Sequence, residues 1–248
     1  MGTSSARRAT ADAMGTIAVF FPAGILFAAD SSAFTGSRYL ALAAGAAITI
    51  ALAAFVLRRT PRFSTPADRI TLFRAVLVGC CATIIVPTLG TALEPGWLLI
   101  AIGTVAFVLD ALDGRVARHF GCASQDGARL DMEVDAALLL VLCWAAVGAL
   151  GWWTLAIGLM RYAFVAASWI RPALKAPLRP SMLRKFIGAA QAFALLVALA
   201  PGMPVAIGAT VVTLALLLLT VSFARDVSVM EWSYHQHPDG AANHLLTP

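Results

Sequence analysis

Four aspartates are the residues of this sequence whose spacing could support chemistry: Asp110, Asp113, Asp131 and Asp135. The members of each pair, Asp110 with Asp113 and Asp131 with Asp135, are about one helical turn apart, so each pair shares one face of a predicted helix. The connection at residues 119–126 is short and polar, which predicts that the two helices are antiparallel neighbours. Ionisable side chains within apolar segments are costly and usually functional, so we expect the two pairs to converge.

Carboxylates at close range repel one another, and burial disfavours their ionised form. Bound cations would relieve this repulsion, and a ligand set made only of oxygens favours Mg²⁺, Mn²⁺ or Ca²⁺ over zinc. Four aspartates suit two divalent ions about 3.5–4 Å apart, an arrangement that clamps a phosphoryl group. The spacing therefore predicts a two-metal site for phosphoryl chemistry.

Small residues and an arginine share these helix faces. Gly114 and Ala117 follow the first pair, and Gly127 precedes Asp131 by one turn, so a flat ligand could lie against the backbone. Arg118 offers a guanidinium fork for phosphate oxygens. Together these features indicate a nucleotide-diphosphate site. The alternative, structural ion pairs and small-residue helix packing, explains single residues better than it explains the whole set.

The composition of the chain places this site in a membrane protein. The 248 residues are 60% hydrophobic and 12% charged, against about 45–50% and about 25% in a soluble domain. Eight apolar runs lie near the ~20 residues that a spanning helix needs: residues 14–29, 39–57, 69–89, 97–118, 128–149, 152–171, 185–200 and 204–224. We therefore predict an all-α polytopic membrane protein. In the first run, Pro22 and Gly24 leave a re-entrant or tilted segment open.

The basic residues fall in alternate connections between these runs. The other connections contain one basic residue, Arg38. Because basic loops stay on the cytoplasmic side, both termini and the aspartates should be cytoplasmic, in an inner or plasma membrane. The net charge of +5 is then a topology signal, with anionic lipid headgroups as a second interpretation, and it does not indicate a nucleic-acid partner.

The residues of the two acidic helices resemble the signature of CDP-alcohol phosphatidyltransferases at every fixed position: Asp110-x2-Asp113-Gly114-x2-Ala117-Arg118-x8-Gly127-x3-Asp131-x3-Asp135. Upstream, residues 66–74 are similar to the family element P-x-N-x-x-T-x-x-R. Thr71 and Arg74 fit that element, whereas Asp68 stands where Asn is usual. The resemblance implies a six-helix phosphotransferase core at residues 65–225. Residues 1–64 would form a cytoplasmic segment and an extra membrane hairpin, and residues 226–248 a cytoplasmic tail.

The resemblance also implies a reaction in phospholipid biosynthesis. A phosphatidyl group would pass from a CDP-linked lipid such as CDP-diacylglycerol to a small acceptor alcohol, with release of CMP. The four aspartates would bind two Mg²⁺ or Mn²⁺ ions, and Asp135 would be the base that deprotonates the acceptor. The CDP moiety would be bound by Gly114, Ala117, Arg118, Gly127, Thr71 and Arg74. The family further suggests a homodimer.

A basic cluster on the sixth and seventh runs and their link is the candidate acceptor site: Arg161, Arg171, Lys175, Arg184 and Lys185. Arg161 lies about 15 Å along the helix from Arg171, inside the membrane, and would pair with an acceptor phosphate or with an aspartate of the metal site. The run Arg184-Lys185-x5-Gln191 is similar to phosphatidylglycerophosphate synthases, which favours glycerol 3-phosphate. Inositol phosphate and serine remain alternative acceptors.

Two other kinds of membrane protein could use intramembrane aspartates. A UbiA-type prenyltransferase has its acidic motifs on well-separated helices, whereas here both pairs lie close together in the chain. A divalent-cation transporter would bind ions at the aspartates, yet it gives no reason for Gly114, Ala117 and Arg118. Release of CMP would distinguish the transferase from both.

Overall fold

The computed structural model describes residues 2–30, 35–60, 63–88, 96–119, 124–171 and 182–236, and these contain eight α-helices and no strand. The helices are α1 Gly2–Asp30, α2 Thr35–Leu57, α3 Pro66–Ile85, α4 Trp97–His119, α5 Gln125–Leu150, α6 Leu155–Ile170, α7 Met182–Ala198 and α8 Val205–Gln236. Short 3₁₀ turns follow α3 at Val86–Thr88 and precede α6 at Trp152–Thr154. The predicted all-α class and the eight helices are confirmed.

The lengths and compositions of these helices agree with a multi-pass membrane protein. In the described part of the chain, α1, α2, α3, α5 and α8 contain segments long and apolar enough to cross a membrane. Shorter apolar segments lie in α4 and α7, at Trp97–Leu112 and Phe186–Ala198. Large apolar side chains such as Leu26, Leu218 and Val221 are exposed on the outside of the bundle. An apolar outer surface is what a lipid-embedded bundle requires.

Two helices are longer than their apolar runs predict. The first begins at Gly2, so the polar residues before the apolar run are helical, and Pro22 lies inside one continuous helix. Ala9 and Ala13 are fully buried there, because this end of α1 packs on α3. The last helix continues to Gln236, past the end of its apolar run and into the predicted tail.

The third helix lies at the centre of the bundle and packs on α1, α2, α4 and α5. Its start is specified locally: Thr65 is the N-cap, Pro66 occupies the first turn, and Thr65 and Asp68 form a reciprocal capping box. Such a box satisfies two amide groups that the helix leaves without partners. The position and direction of α3 are therefore well determined where it carries Thr71 and Arg74.

Two glycines bring α2 and α3 into backbone contact. A Cβ on Gly45 would lie 2.5 Å from the Gly79 carbonyl oxygen and would also collide with the Thr83 hydroxyl. Thr49 and Thr83 donate to the carbonyl oxygens of Gly45 and Gly79 at 2.9 and 3.0 Å. Without a hydrophobic force between helices in lipid, close packing of small residues supplies the attraction. This contact therefore holds the amino-terminal helices against α3.

Replacing Gly45 with Ala should weaken that packing. The added methyl group meets backbone as well as a side chain, so the helices must separate, at a cost of about 1–3 kcal/mol. We expect a lower thermal unfolding temperature for detergent-purified protein. Gly148→Ala is the matched control, because a Cβ there has no atom within 4 Å. Equal unfolding temperatures for the two variants would contradict this description of the α2–α3 contact.

Candidate metal and phosphate site

Three of the four predicted aspartates converge in space. Asp110 comes from α4, and Asp131 and Asp135 come from α5. One carboxylate oxygen from each lies within 4.8 Å of the others, an arrangement that could hold a metal ion. Their side chains are 36%, 35% and 42% exposed, so the cluster is open to a ligand on one side. The all-oxygen donor set fits a hard divalent cation such as Mg²⁺ or Mn²⁺.

The other side of the cluster is closed by Arg74, whose side chain is fully buried. Its Nη1 lies 3.0 Å from Asp110 and 2.6 Å from Asp131, and its Nη2 donates to Asp135. Its Nε donates to the Ala106 carbonyl oxygen at 3.1 Å, which ties α3 to α4 one turn before Asp110. Arg74 thus holds three carboxylates from two helices in one place.

The formal charges of Arg74 and the three aspartates do not cancel. Three carboxylates against one guanidinium leave two negative charges among these four residues. A buried arginine must be paired, and the aspartates satisfy it. The two remaining negative charges could be neutralised by one divalent cation. Arg74 therefore holds the carboxylates in place, and the cluster keeps enough negative charge to bind a divalent metal ion.

The predicted nucleotide side of the site lies at the start of α5. Ser124 caps this helix, and its Oγ accepts from the Gly127 amide at 3.0 Å. A Cβ on Gly127 would meet Ser124 Oγ at 3.0 Å and Asp68 Oδ1 at 3.4 Å. Thr71 is buried on α3, where its hydroxyl donates to the Ala67 carbonyl oxygen at 3.2 Å. Gly127 therefore allows α3 and α5 to approach each other closely at this point.

Asp68 occupies this junction as one half of a buried ion pair with Arg59. Two parallel hydrogen bonds of 2.8 Å join the guanidinium to both carboxylate oxygens. Asp68 Oδ2 also accepts from the Thr65 amide and hydroxyl at 2.8 Å. The Arg59 guanidinium packs over the Phe63 ring at 4.9 Å and donates to the Phe63 carbonyl oxygen. Both charged side chains are almost completely buried.

Several predicted residues cannot be placed with their side chains. The backbone of α4 includes Asp113, Gly114, Ala117 and Arg118, but their side chains lie outside the described part of the structure. The same holds for Arg161 on α6 and for Arg184 and Lys185 on α7, and Lys175 lies outside the described residues altogether. Their predicted roles stay predictions.

The remaining residue of the predicted acceptor cluster is Arg171, at the end of α6. Its side chain is 65% exposed, and its Nη1 pairs with Glu231 of α8 at 2.8 Å. In the described residues this contact joins α6 to the extended end of α8. Exposed pairs of this kind contribute little to stability and can exchange partners.

Sequence reasoning did not anticipate the ion pairs of two arginines. Arg74 was predicted to contact the nucleotide, which stays a prediction, and the structure shows that it also pairs with the aspartates. Arg59 was not among the predicted site residues, yet it pairs with Asp68 across the link between α2 and α3. One signal was present for Arg59: a buried Asp in place of the usual Asn requires a cation nearby.

Comparison with known proteins agrees with this geometry. A family model described as CDP-alcohol phosphatidyltransferase matches residues 64–224, more than half of the chain. The matched segment begins just before α3 and ends within α8, so it contains Arg74, Asp110, Asp131 and Asp135. No curated protein and no solved structure matches the chain. The family resemblance is confirmed, and the match does not select the phosphatidylglycerophosphate-synthase-like subtype.

Proposed function

The chain belongs to the CDP-alcohol phosphatidyltransferase family, a family of phosphotransferases in phospholipid synthesis, and we propose how its residues carry out the transfer. A phosphatidyl group passes from a CDP-linked lipid such as CDP-diacylglycerol to an acceptor alcohol, and CMP is released. The observation that carries this proposal is the cluster of Asp110, Asp131 and Asp135, with oxygens within 4.8 Å, behind which Arg74 is buried.

Asp110, Asp113, Asp131 and Asp135 would hold two divalent ions, Mg²⁺ or Mn²⁺. The chemistry that such ions supply is charge neutralisation of the diphosphate and stabilisation of the attacking and leaving oxygens. The support for this assignment is that each of the three described aspartate side chains stays at least 35% exposed while it contacts Arg74. Arg74 keeps the carboxylates in position when the substrate leaves.

Asp135 is the proposed base. Its side chain is the most exposed of the three described aspartates, at 42%. The carboxylate accepts the proton of the acceptor hydroxyl as the new bond forms between that oxygen and the β-phosphorus. The bond between the β-phosphorus and the bridging oxygen breaks, and CMP leaves with the bonding electrons. The proton then passes from Asp135 to solvent.

The cytidine end is proposed to lie over Gly114, Ala117 and Gly127, with Thr71 nearby and Arg118 on phosphate oxygens. The support is the close approach of α3 and α5 at Gly127, where a side chain would meet Ser124 and Asp68. Arg74 is proposed to contribute to CDP binding as well, and the support is its position beside the aspartates.

The acceptor is proposed to be a phosphorylated alcohol, with glycerol 3-phosphate as the first candidate and inositol phosphate as the second. Serine, which carries no phosphate, is the remaining alternative. The support is the density of basic residues around the link between α6 and α7: Arg161, Arg171, Lys175, Arg184 and Lys185. The distribution of lysine and arginine supports cytoplasmic termini and a cytoplasmic active site. A homodimer is proposed on the family's precedent alone.

The direct test is CMP release by the purified full-length protein from CDP-diacylglycerol. We expect release that requires Mg²⁺ or Mn²⁺, stops with EDTA, and depends on one acceptor from a panel of glycerol 3-phosphate, inositol phosphate and serine. No release with any acceptor would refute the transferase proposal. Flux of divalent cations across vesicles without any nucleotide requirement would favour the transporter alternative.

A further inference from the structure

The link between α2 and α3 contains a charged contact that the transfer reaction, as proposed above, does not use. Arg59 lies two residues after the end of α2, before the segment that the family model matches. It forms two 2.8 Å hydrogen bonds with Asp68, in the first turn of α3. The two side chains are 3% and 2% exposed. Such a pair is desolvated, so each charge depends on the other.

The Asp68 carboxylate faces the site as well as the link. Its Oδ1 is the atom that a Cβ on Gly127 would approach, at 3.4 Å. Further along α3, Arg74 binds Asp131 and Asp135 of α5. The α3–α5 junction is thus held by Asp68 beside Gly127 and, about two turns away, by the arginine–aspartate cluster.

Both oxygens of the Asp68 carboxylate are held by hydrogen bonds. Oδ2 accepts from Arg59 and twice from Thr65, whereas Oδ1 accepts from Arg59 Nη2 in the described part of the chain. Because the Asp68 side chain is only 2% exposed, its carboxylate belongs to the packed junction between α3 and α5. Arg59 fixes the orientation of this carboxylate, so Oδ1 stays beside Gly127 and keeps the first turns of α3 and α5 in a fixed relative position.

We propose that Arg59 is a positioning residue for the nucleotide end of the site, acting through Asp68. This inference rests on the proposed function, and it gives the amino-terminal helices a role. Because Arg59 follows directly on α2, and α2 packs against α3 through Gly45 and Gly79, these helices carry a group that orders the site. The family element has an uncharged Asn where this chain has Asp68, and Arg59 compensates the charge that Asp introduces.

The test is a double-mutant cycle on the full-length protein with Arg59→Gln, Asp68→Asn and both together. Each single change leaves one buried charge without its partner, so we expect the KM for CDP-diacylglycerol to rise about tenfold or more, with a smaller change in kcat. The double variant removes both charges and should return to within about threefold of the wild type. Thermal stabilisation by CDP with Mn²⁺ should follow the same order, and it needs no turnover.

Arg69→Gln is the matched control. Arg69 also joins α3 to an amino-terminal helix, through Asp12 at 3.1 Å, but its side chain is 55% exposed and it should leave KM unchanged. If Arg59→Gln lowers only the unfolding temperature, or the double variant is no better than the single ones, the positioning role is refuted. If the wild type releases no CMP, the transferase proposal fails, and the CDP stabilisation series still decides the role of Arg59.

Discussion

Asp135→Asn is expected to abolish measurable turnover while the protein still binds CDP-diacylglycerol. The amide cannot take the proton of the acceptor hydroxyl, and loss of a general base costs about 10²–10⁴-fold in rate. The Asn side chain keeps an oxygen that can accept from Arg74, so the cluster with Asp110 and Asp131 should stay in place. The measurements are kcat for CMP release, and binding of CDP-diacylglycerol at a fixed Mn²⁺ concentration.

The matched control for this prediction is Glu133→Gln. Glu133 lies on the same helix between Asp131 and Asp135, but the helical turn directs it to a different face. The Glu133→Gln substitution removes one negative charge from the same region and leaves the proposed base unchanged, so near-wild-type kcat is expected. Near-wild-type kcat in Asp135→Asn would show that Asp135 is not the base. Loss of both activity and binding would instead make Asp135 indispensable as a metal ligand.

Arg74→Gln is expected to have the largest effect on stability. It leaves Asp110, Asp131 and Asp135 close together without their common cation, and breaking a buried charge network by removing one partner costs about 3–5 kcal/mol. The thermal unfolding temperature of the metal-free protein should fall by on the order of 10 °C. Adding Mn²⁺ should recover more of the stability in this variant than it adds to the wild type, because the ion replaces the missing positive charge.

Two further variants show whether the contacts or the charge of Arg74 matter. Arg74→Lys keeps the charge but offers a single ammonium group in place of the planar fork, so an intermediate unfolding temperature is expected. Arg69→Gln changes an exposed arginine on the same helix and should shift the temperature little. If Arg74→Gln unfolds at the same temperature as Arg69→Gln, the network does not hold α3, α4 and α5 together.

The shared helix face of each acidic pair was predictable because an α-helix completes a turn about every 3.6 residues. Asp131 and Asp135 share a face in any α-helix. The short polar connection between the two helices predicts that the helix of Asp110 lies beside them. The eight helices followed equally from the length and apolar character of the runs, since spanning a membrane requires both. The sequence alone therefore determined the helical class and predicted the convergence of Asp110 with Asp131 and Asp135.

The start of α1 and the end of α8 were not predictable from the apolar runs. Residues 2–13 precede the apolar run, so hydropathy alone did not extend the helix to them. In the structure, Ala9 and Ala13 are buried against the bundle and Asp12 pairs with Arg69. The same applies to the end of α8, where Glu231 meets Arg171. Contacts with other helices therefore stabilise both elements beyond their apolar runs.

Only the tertiary structure showed which arginines pair with these carboxylates. Arg74 is far from Asp131 and Asp135 in sequence, and their contact depends on how α3 packs against α4 and α5. Arg59 reaches Asp68 because the link between α2 and α3 folds back around its guanidinium. Spacing along a helix is a local property, whereas an ion pair between helices depends on distance and desolvation, which exist only once the helices have packed. The sequence predicted the meeting of the three described carboxylates, whereas the packing of α3 determined that Arg74 holds them together.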